Sequence, residues 1–388
     1  MKANWNYPTQ VSVGAGRITE LPMICFERGM RNPMLVTDPG LANLSLVQDV
    51  LTCCHEEGLG ISCFSAIKPN PTGANIEAGI AAYLQGQHDG IIALGGGSSL
   101  DAGKAIAVAA NQHCSLWDLE DVGENWRQAN AENIVPLIAV PTTAGTGSEV
   151  GRAALVINEN EQRKVIIFHP DMMPKQVILD PELTLGLPPL LTAATGMDAL
   201  SHSLEAYCAP GYHPMAEGIA IEAIRLVKEF LPLAVSEGDN VQARLNMLVA
   251  STMGATAFQR GLGAMHALAH PLGAIFDAHH GMLNAVLMPY VLKANQAAIA
   301  PRIERLAKYL DLEPDFDAFL NWILTLRNNL EIPDTLADII DFGRGDLSVN
   351  LADIGRMATE DPSAGSNPVL FSAEQYRRIL EDSIQGRL

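Results

Sequence analysis

Cysteine is scarce in this chain. Six occur in 388 residues, at positions 25, 53, 54, 63, 114 and 208, and no two form a C-x-x-C pair. So few over such a length argue against a disulfide framework and suit a reducing cytoplasm. Basic residues are also short: 25 Lys and Arg stand against 44 Asp and Glu, for a formal net charge of -19. A chain this acidic is repelled by phosphate backbones and anionic membranes, so neither nucleic acid nor a membrane surface is expected as a partner, and the charge serves solubility. No uninterrupted apolar run approaches the ~18 residues of a membrane-spanning helix. The N-terminus, MKANWNYPTQ, lacks the apolar stretch of a signal peptide. Internal repeats and low-complexity segments are missing too.

What is present is a buried, globular composition, 48% hydrophobic and 18% charged. The length exceeds one ordinary core, so two domains are expected. In the first half, strand-like segments at 33–37, 61–64, 90–94, 134–140, 153–158, 164–168 and 176–179 alternate with helical ones at 41–58, 76–85 and 98–110. This βαβα rhythm predicts a mainly parallel sheet covered by helices on both faces. From Pro188 the periods turn helical, with helices expected at 190–206, 214–230, 241–258, 264–275 and 301–310, and a helical tail from Leu312. The stretch Leu187-Pro188-Pro189 marks the boundary between an α/β domain, 1–187, and a helical domain, 188–388.

Gly95-Gly96-Gly97-Ser98 sits between a buried strand and a helix. Glycines there let the backbone approach a ligand, and the helix N-terminus offers N–H groups to a pyrophosphate. The turn is not G-x-G-x-x-G. Nor is it a phosphate loop, because Ser98 stands where a glycine is required and Ala105 replaces the magnesium-binding hydroxyl after Gly103-Lys104. A tight turn without a ligand is the plainer alternative. Asp38 follows a strand end, where a carboxylate can accept from both ribose hydroxyls and repel a 2′-phosphate, favouring NAD over NADP; a helix cap is its alternative role. A second hydroxyl- and glycine-rich loop, Pro141 to Glu149 (PTTAGTGSE), also follows a strand.

Asp198 and His202 are spaced i, i+4 in a helical segment, which puts both side chains on one face. His266 and His270 repeat the spacing, and His279-His280-Gly281 follows. Such a pair alone is more often a surface contact than a ligand pair. Clustered with further imidazoles, it suits a first-row divalent metal that polarises a substrate oxygen. The spacing is not H-E-x-x-H, and of the cysteines only Cys208 stands near these histidines, so a zinc protease and a zinc finger are both excluded.

Taken together, GGGSSLDAGK (95–104), PTTAGTGSE (141–149), LDPELTLGLPPLLTAATGMDALSHSLEAY (179–207), GLGAMHALAHPLGAIFDAHHG (261–281) and ATEDPSAGSNP (358–368) resemble the iron-containing, group III alcohol dehydrogenases. The resemblance implies a Rossmann-like, parallel-sheet dinucleotide-binding domain followed by an all-helical metal-binding domain, with the active site in the cleft between. It implies Asp198, His202, His266 and His280 as ligands of Fe2+ or Zn2+. It implies Gly95, Gly96, Gly97 and Ser98 at the pyrophosphate, Thr142 and Thr143 on the cofactor, Asp38 at the adenosine ribose and Lys164 at the nicotinamide ribose. His270 would then lie near the substrate without being a ligand, and its imidazole suits a proton relay. The expected activity is NAD-linked hydride transfer between a small alcohol and its aldehyde, in a cytoplasmic homo-oligomer, a dimer or larger. A glycerol-dehydrogenase-like polyol oxidoreductase is the near rival, and a nucleotide-binding protein without catalysis is the distant one.

Three places depart from the family's pattern. Gly151-Arg152 follows Val150, Phe258-Gln259-Arg260 is a residue short, and His279 stands where proline is usual. Arg152 and Arg260 are candidates to receive a substrate acid group, possible in a small acidic aldehyde, although pairing with the chain's own acids is the commoner use of arginine. The last ligand is His279 or His280, and Gly281 argues for His280.

Overall fold

The computed structural model describes residues 9–161, 163–342 and 351–388. Residues 1–8, most of the stretch read above as no signal peptide, and 343–350 of the helical tail lie outside them. The described chain forms two compact units, divided between Gly186 and Leu187.

The first unit is α/β. Its strands and helices are β1 (Gln10–Val13), α1 (Leu21–Glu27), β2 (Pro33–Val36), α2 (Pro39–Ala42), α3 (Ser45–Glu56), β3 (Ser62–Phe64), α4 (Gly73–Gln85), β4 (Gly90–Gly95), α5 (Gly97–Ala109), β5 (Leu137–Pro141), β6 (Ala153–Asn158), β7 (Arg163–Phe168) and β8 (Gln176–Leu179). Six strands form one parallel sheet in the order β1-β8-β5-β4-β2-β3. Every residue of β2, β4, β5 and β8 is buried, as expected of a parallel sheet covered on both faces. Leu35, Ile92, Ile138 and Ile178 from the sheet pack with Val47 and Cys54 of α3.

The chain steps from β2 outward to β3, then returns past β2 to β4 and continues to β5 and β8. The direction of winding therefore reverses between β2 and β4. In such sheets the crevice beyond the carboxyl ends of the strands at that reversal is the natural ligand site. Asp38 follows β2 there, and the glycine turn follows β4.

Several boundaries differ from the sequence reading for local reasons. The helix expected over 41–58 is two, because Asp38 caps α2 with Pro39 in its first turn and Leu44 is extended before α3. The α4 helix starts at Gly73, set by a capping box between Thr72 and Asn75. The strands expected at 153–158 and 164–168 do not join the main sheet. They form a separate antiparallel hairpin, β6 with β7.

The second unit is helical among the described residues: α6 (Pro189–Cys208), α7 (Pro214–Ser236), α8 (Val241–Ala257), α9 (Ala264–Phe276), α10 (His280–Tyr309), α11 (Phe316–Asn329), α12 (Leu351–Glu360) and α13 (Ala373–Gln385). The main surprise is α10. Pro301 reads as a helix start, yet the helix begins at His280 and runs through both Pro289 and Pro301. Proline is a favoured first-turn residue but not a reliable one, since a long helix packed on its neighbours absorbs the loss of single hydrogen bonds.

Candidate active site

The β2–β4 crevice holds a cavity of about 630 Å³ lined by Asp38, Gly40, Lys68, Gly96, Ser98 and Ser99 among others. Gly95 has φ +145°, and a Cβ there would meet Ser99 Oγ at 2.6 Å, so only glycine makes the turn. Ser99 is 1% exposed and its hydroxyl has no partner, although it lines the cavity. An orphaned hydroxyl beside the N-terminus of α5 fits a phosphate-bearing ligand.

The hydroxyl-rich loop packs against this turn. Thr142 N donates to Gly95 O at 3.0 Å. Thr143 lies 3.5 Å from where a Cβ on Gly96 would stand. Lys164 Nζ donates to Asn70 Oδ1 at 2.9 Å, and Asn70 N donates to Ser98 Oγ at 3.3 Å. The fold thus gathers Gly95 to Ser98, Thr142, Thr143 and Lys164 around one turn, with Asp38 on the same crevice. Asp38 also fills its alternative role: its Oδ1 accepts from Gly40 N and Leu41 N. That leaves Oδ2 for a ligand, so capping and ribose binding are compatible. Asn70 was missed by the sequence reading. Its signal was an asparagine between two prolines, and it adopts φ +53°, a conformation asparagine tolerates better than most residues.

In the helical unit, α6 carries Asp198 and His202, α9 carries His266 and His270, and α10 opens on His280. Asp198, His202 and His266 are 2%, 5% and 1% exposed, which rules out a surface pair. One ligand atom from each lies within 4.8 Å of the others. His280 Nε2 stands 3.7 Å from Asp198 Oδ1. His279 instead caps α10, its Nδ1 accepting from Met282 N at 3.3 Å, so the fold turns His280 and not His279 toward Asp198. Gly281 has a separate cause: a Cβ there would stand 2.4 Å from Ala194 O of α6.

Two of the imidazoles are oriented by carboxylates. Glu205, one turn past His202, accepts from His266 Nδ1 at 2.6 Å and from the backbone N–H groups of Gly263 and Met265 at 2.8 and 2.7 Å. With its proton on Nδ1, His266 presents a lone pair at Nε2. Burial alone would lower the His266 imidazole, but Glu205, then Asp198 and Asp361, outweigh it and raise it. Burial would likewise raise Asp198, but the imidazoles of His202, His280 and His266 and the Asn284 amide hold its carboxyl below the ordinary range. His270 Nδ1 lies 2.8 Å from Asp361 Oδ2. Burial would raise Asp361, but His270 and Ser363 keep it low, so it accepts and His270 donates.

The donor set fits a cation. Asn284 Nδ2 faces Asp198 Oδ1 at 2.8 Å, His280 Nε2 at 3.1 Å and His266 Nε2 at 3.2 Å, while its own Oδ1 is buried without a partner. An amide has two protons, so it cannot donate to all three of these atoms at once. Carboxylate and imidazole gathered in this way suit a first-row divalent metal.

Arg260 and Arg152 serve the chain itself. Arg260, its side chain 2% exposed, pairs with Glu217 at 2.8 Å and donates to the carbonyls of Gly211 and Tyr207. The Arg152 guanidinium lies over the Phe168 ring, 5.6 Å from its centroid, and acts on the Asp121 carboxyl.

Comparison with known proteins gives two family matches. Residues 8–181 match the model described as iron-containing alcohol dehydrogenase, and residues 192–384 match the C-terminal part of the same family. The 4-hydroxybutyrate dehydrogenase of Cupriavidus necator is 37% identical over 97% of this chain and 99% of its own. The 1,3-propanediol dehydrogenase of Citrobacter freundii is 35% identical over 95% of this chain and 96% of its own. A solved 1,3-propanediol oxidoreductase superposes with a TM-score of 0.92 at 32% identity, covering 99% of this chain and all of that one.

Proposed function

The chain belongs to the iron-containing alcohol dehydrogenase family, and from that premise we propose how its residues divide the work of a metal-dependent, NAD-linked interconversion of alcohol and aldehyde. The domain 1–187 holds the dinucleotide, and the domain 188–388 holds the metal. Asp198, His202, His266 and His280 are the ligands. The observation that carries this is the convergence of Asp198, His266 and His280 on the Asn284 amide, with His266 oriented by Glu205. A divalent metal bound there, Fe2+ or Zn2+, supplies a Lewis acid for the substrate oxygen. Bound NAD supplies the hydride acceptor.

The chain's own residues do the rest. Gly95 to Ser98 present backbone N–H groups and a hydroxyl to the pyrophosphate, Thr142 and Thr143 hold the cofactor, and Lys164 reaches the nicotinamide ribose. Asp38 accepts from the adenosine ribose and turns away a 2′-phosphate. His270 keeps its Nδ1 proton on Asp361, which leaves Nε2 to take the alcohol proton or return it.

The substrate is a short alcohol or aldehyde. A carboxylate at its far end is the finer reading, supported by the likeness to 4-hydroxybutyrate dehydrogenase over nearly the whole chain. Arg260 is not its receptor, being spent on Glu217. A cytoplasmic setting fits six free cysteines, and a homo-oligomer, dimer or larger, completes the reading. Among the described residues no helix is long and apolar enough to cross a membrane.

The test is a panel of short aldehydes, neutral and acidic, assayed with NADH and NADPH on protein loaded with iron or zinc. Metal-dependent, NADH-preferring reduction is expected. Turnover that survives complete chelation would sink the metal role. In His270→Ala, a rate falling about 100-fold or more with an altered pH profile is expected; an unchanged profile removes the relay.

A further inference from the structure

We propose that Asp101 and the buried Lys104 form a clamp that holds the glycine turn and the threonine loop in cofactor-binding register. This rests on the reading that those two segments hold the dinucleotide. Lys104 is the lysine that fails the phosphate-loop pattern, and the structure shows where it goes instead. Its side chain is 2% exposed, its Nζ lies 3.1 Å from Asp101 Oδ1, and it donates to Ala153 O at the start of β6. Asp101 accepts from Ser148 Oγ at 2.5 Å and from Leu155 N at 3.0 Å. One ion pair therefore ties three pieces of chain together: the first turns of α5, the end of the threonine loop at Ser148, and β6 at Ala153 and Leu155.

The tie reaches the ligand-facing backbone through Thr146. Ser148 N donates to Thr146 Oγ1 at 3.3 Å. The Thr146 side chain lies so close under Gly97 that a Cβ there would stand 2.6 Å from its Cγ2. Releasing Ser148 frees Thr146, and with it the support beneath Gly97. A buried ammonium is costly unless paired, and an apolar side chain of the same length would fill the space at lower cost. What the apolar side chain would lack is directed bonding to Asp101 and Ala153. Asp101 and Lys104 are positioning residues, since they act through the two loops.

The test compares Lys104→Met, Asp101→Asn and the double variant with the unaltered holoenzyme. The readouts are NADH dissociation constant by fluorescence, NAD KM against kcat, bound metal, and urea midpoint. In Lys104→Met the NADH dissociation constant and the NAD KM are expected to rise about tenfold. Bound metal should stay unchanged, and kcat at saturating NAD should fall far less than KM rises. In the double variant the urea midpoint should recover, because no buried charge is left unpaired, while affinity stays weak. Asp101→Asn should show the same split, and it carries the test if Lys104→Met does not fold. Unchanged NADH affinity in the single variants overturns the clamp. So does affinity that recovers together with stability, because the pair then acts through stability alone. Gly97→Ala separates the premise: if it leaves NADH affinity intact, the loops do not hold the dinucleotide and the proposal falls with that reading.

Discussion

Replacing Glu205 by glutamine tests the metal centre through a residue that is not itself a ligand. Glu205 Oε2 accepts from Gly263 N and His266 Nδ1, and Oε1 accepts from Met265 N. A glutamine has one oxygen, so its NH2 must face at least one of these donors. With the oxygen toward His266, the amide meets Met265 N–H, donor against donor. With the amide flipped, His266 and Gly263 both lose their acceptor. The first arrangement is the cheaper: it forfeits one bond to a charged acceptor, about 1.5–3 kcal/mol, and leaves His266 on a neutral oxygen. Loss of such an orienting partner typically weakens metal binding about 10–100-fold, or about 1.4–2.7 kcal/mol. The assay is competition with a chelator of known affinity, read by bound iron or zinc, alongside the urea midpoint of metal-free protein. Both should fall. Metal affinity unchanged within about twofold, with the fold intact, would refute the claim that Glu205 sets the tautomer of His266.

Three further outcomes follow from other parts of the chain. Asp38→Ser keeps a side-chain cap for α2 but removes the charge, so kcat/KM with NADP should rise about tenfold or more while stability changes little; equal discrimination before and after would remove Asp38 from cofactor choice. Gly281→Ala should destabilise the protein by about 1–3 kcal/mol and lower bound metal, because its Cβ would press within 2.4 Å of Ala194 O, and a wild-type urea midpoint would show that α6 and α10 can part without cost. His169 gives a pH test. It is 2% exposed, and its Nδ1 accepts from Asp171 N at 3.0 Å, so burial first, and Lys175 after it, lowers its imidazole despite Asp171. The folded state then binds fewer protons than the unfolded one, so this contribution is intact above the ordinary value of about 6.5 and is lost as pH falls through the lowered one. His169→Asn keeps an acceptor without titrating, so its urea midpoint should fall less than wild type between about pH 7.5 and 5.5, and equal losses would assign the acid sensitivity elsewhere.

Much of the architecture is legible in the sequence. Burial on both faces of a parallel sheet writes continuous apolar runs into β2, β4 and β5, and helices write a 3.6-residue period, so fold class follows from local pattern. The limits were equally physical. The α10 helix was read only from Pro301 because a proline mimics a start signal, and what carries the helix through Pro289 and Pro301 is packing, which no local window contains. The hairpin of β6 and β7 has ordinary strand composition, and nothing in it says that it stays out of the main sheet.

The site divides the same way. By itself the sequence singled out Asp198 with His202 and His266 with His270, because i, i+4 spacing puts side chains on one helix face, left the last ligand between His279 and His280, and marked Gly95 to Ser98, because glycines between a strand and a helix leave N–H groups open. It also marked Asp38, whose capping bonds are local. Only the tertiary structure decided which of these groups face one another. Glu205 and His266 are separated by 61 residues, and His270 and Asp361 by 91. Lys104 looked like part of a failed phosphate loop until β6 was folded against α5. A hydrogen bond needs its partners within about 3 Å, and over such separations that distance is set by packing rather than by spacing along the chain.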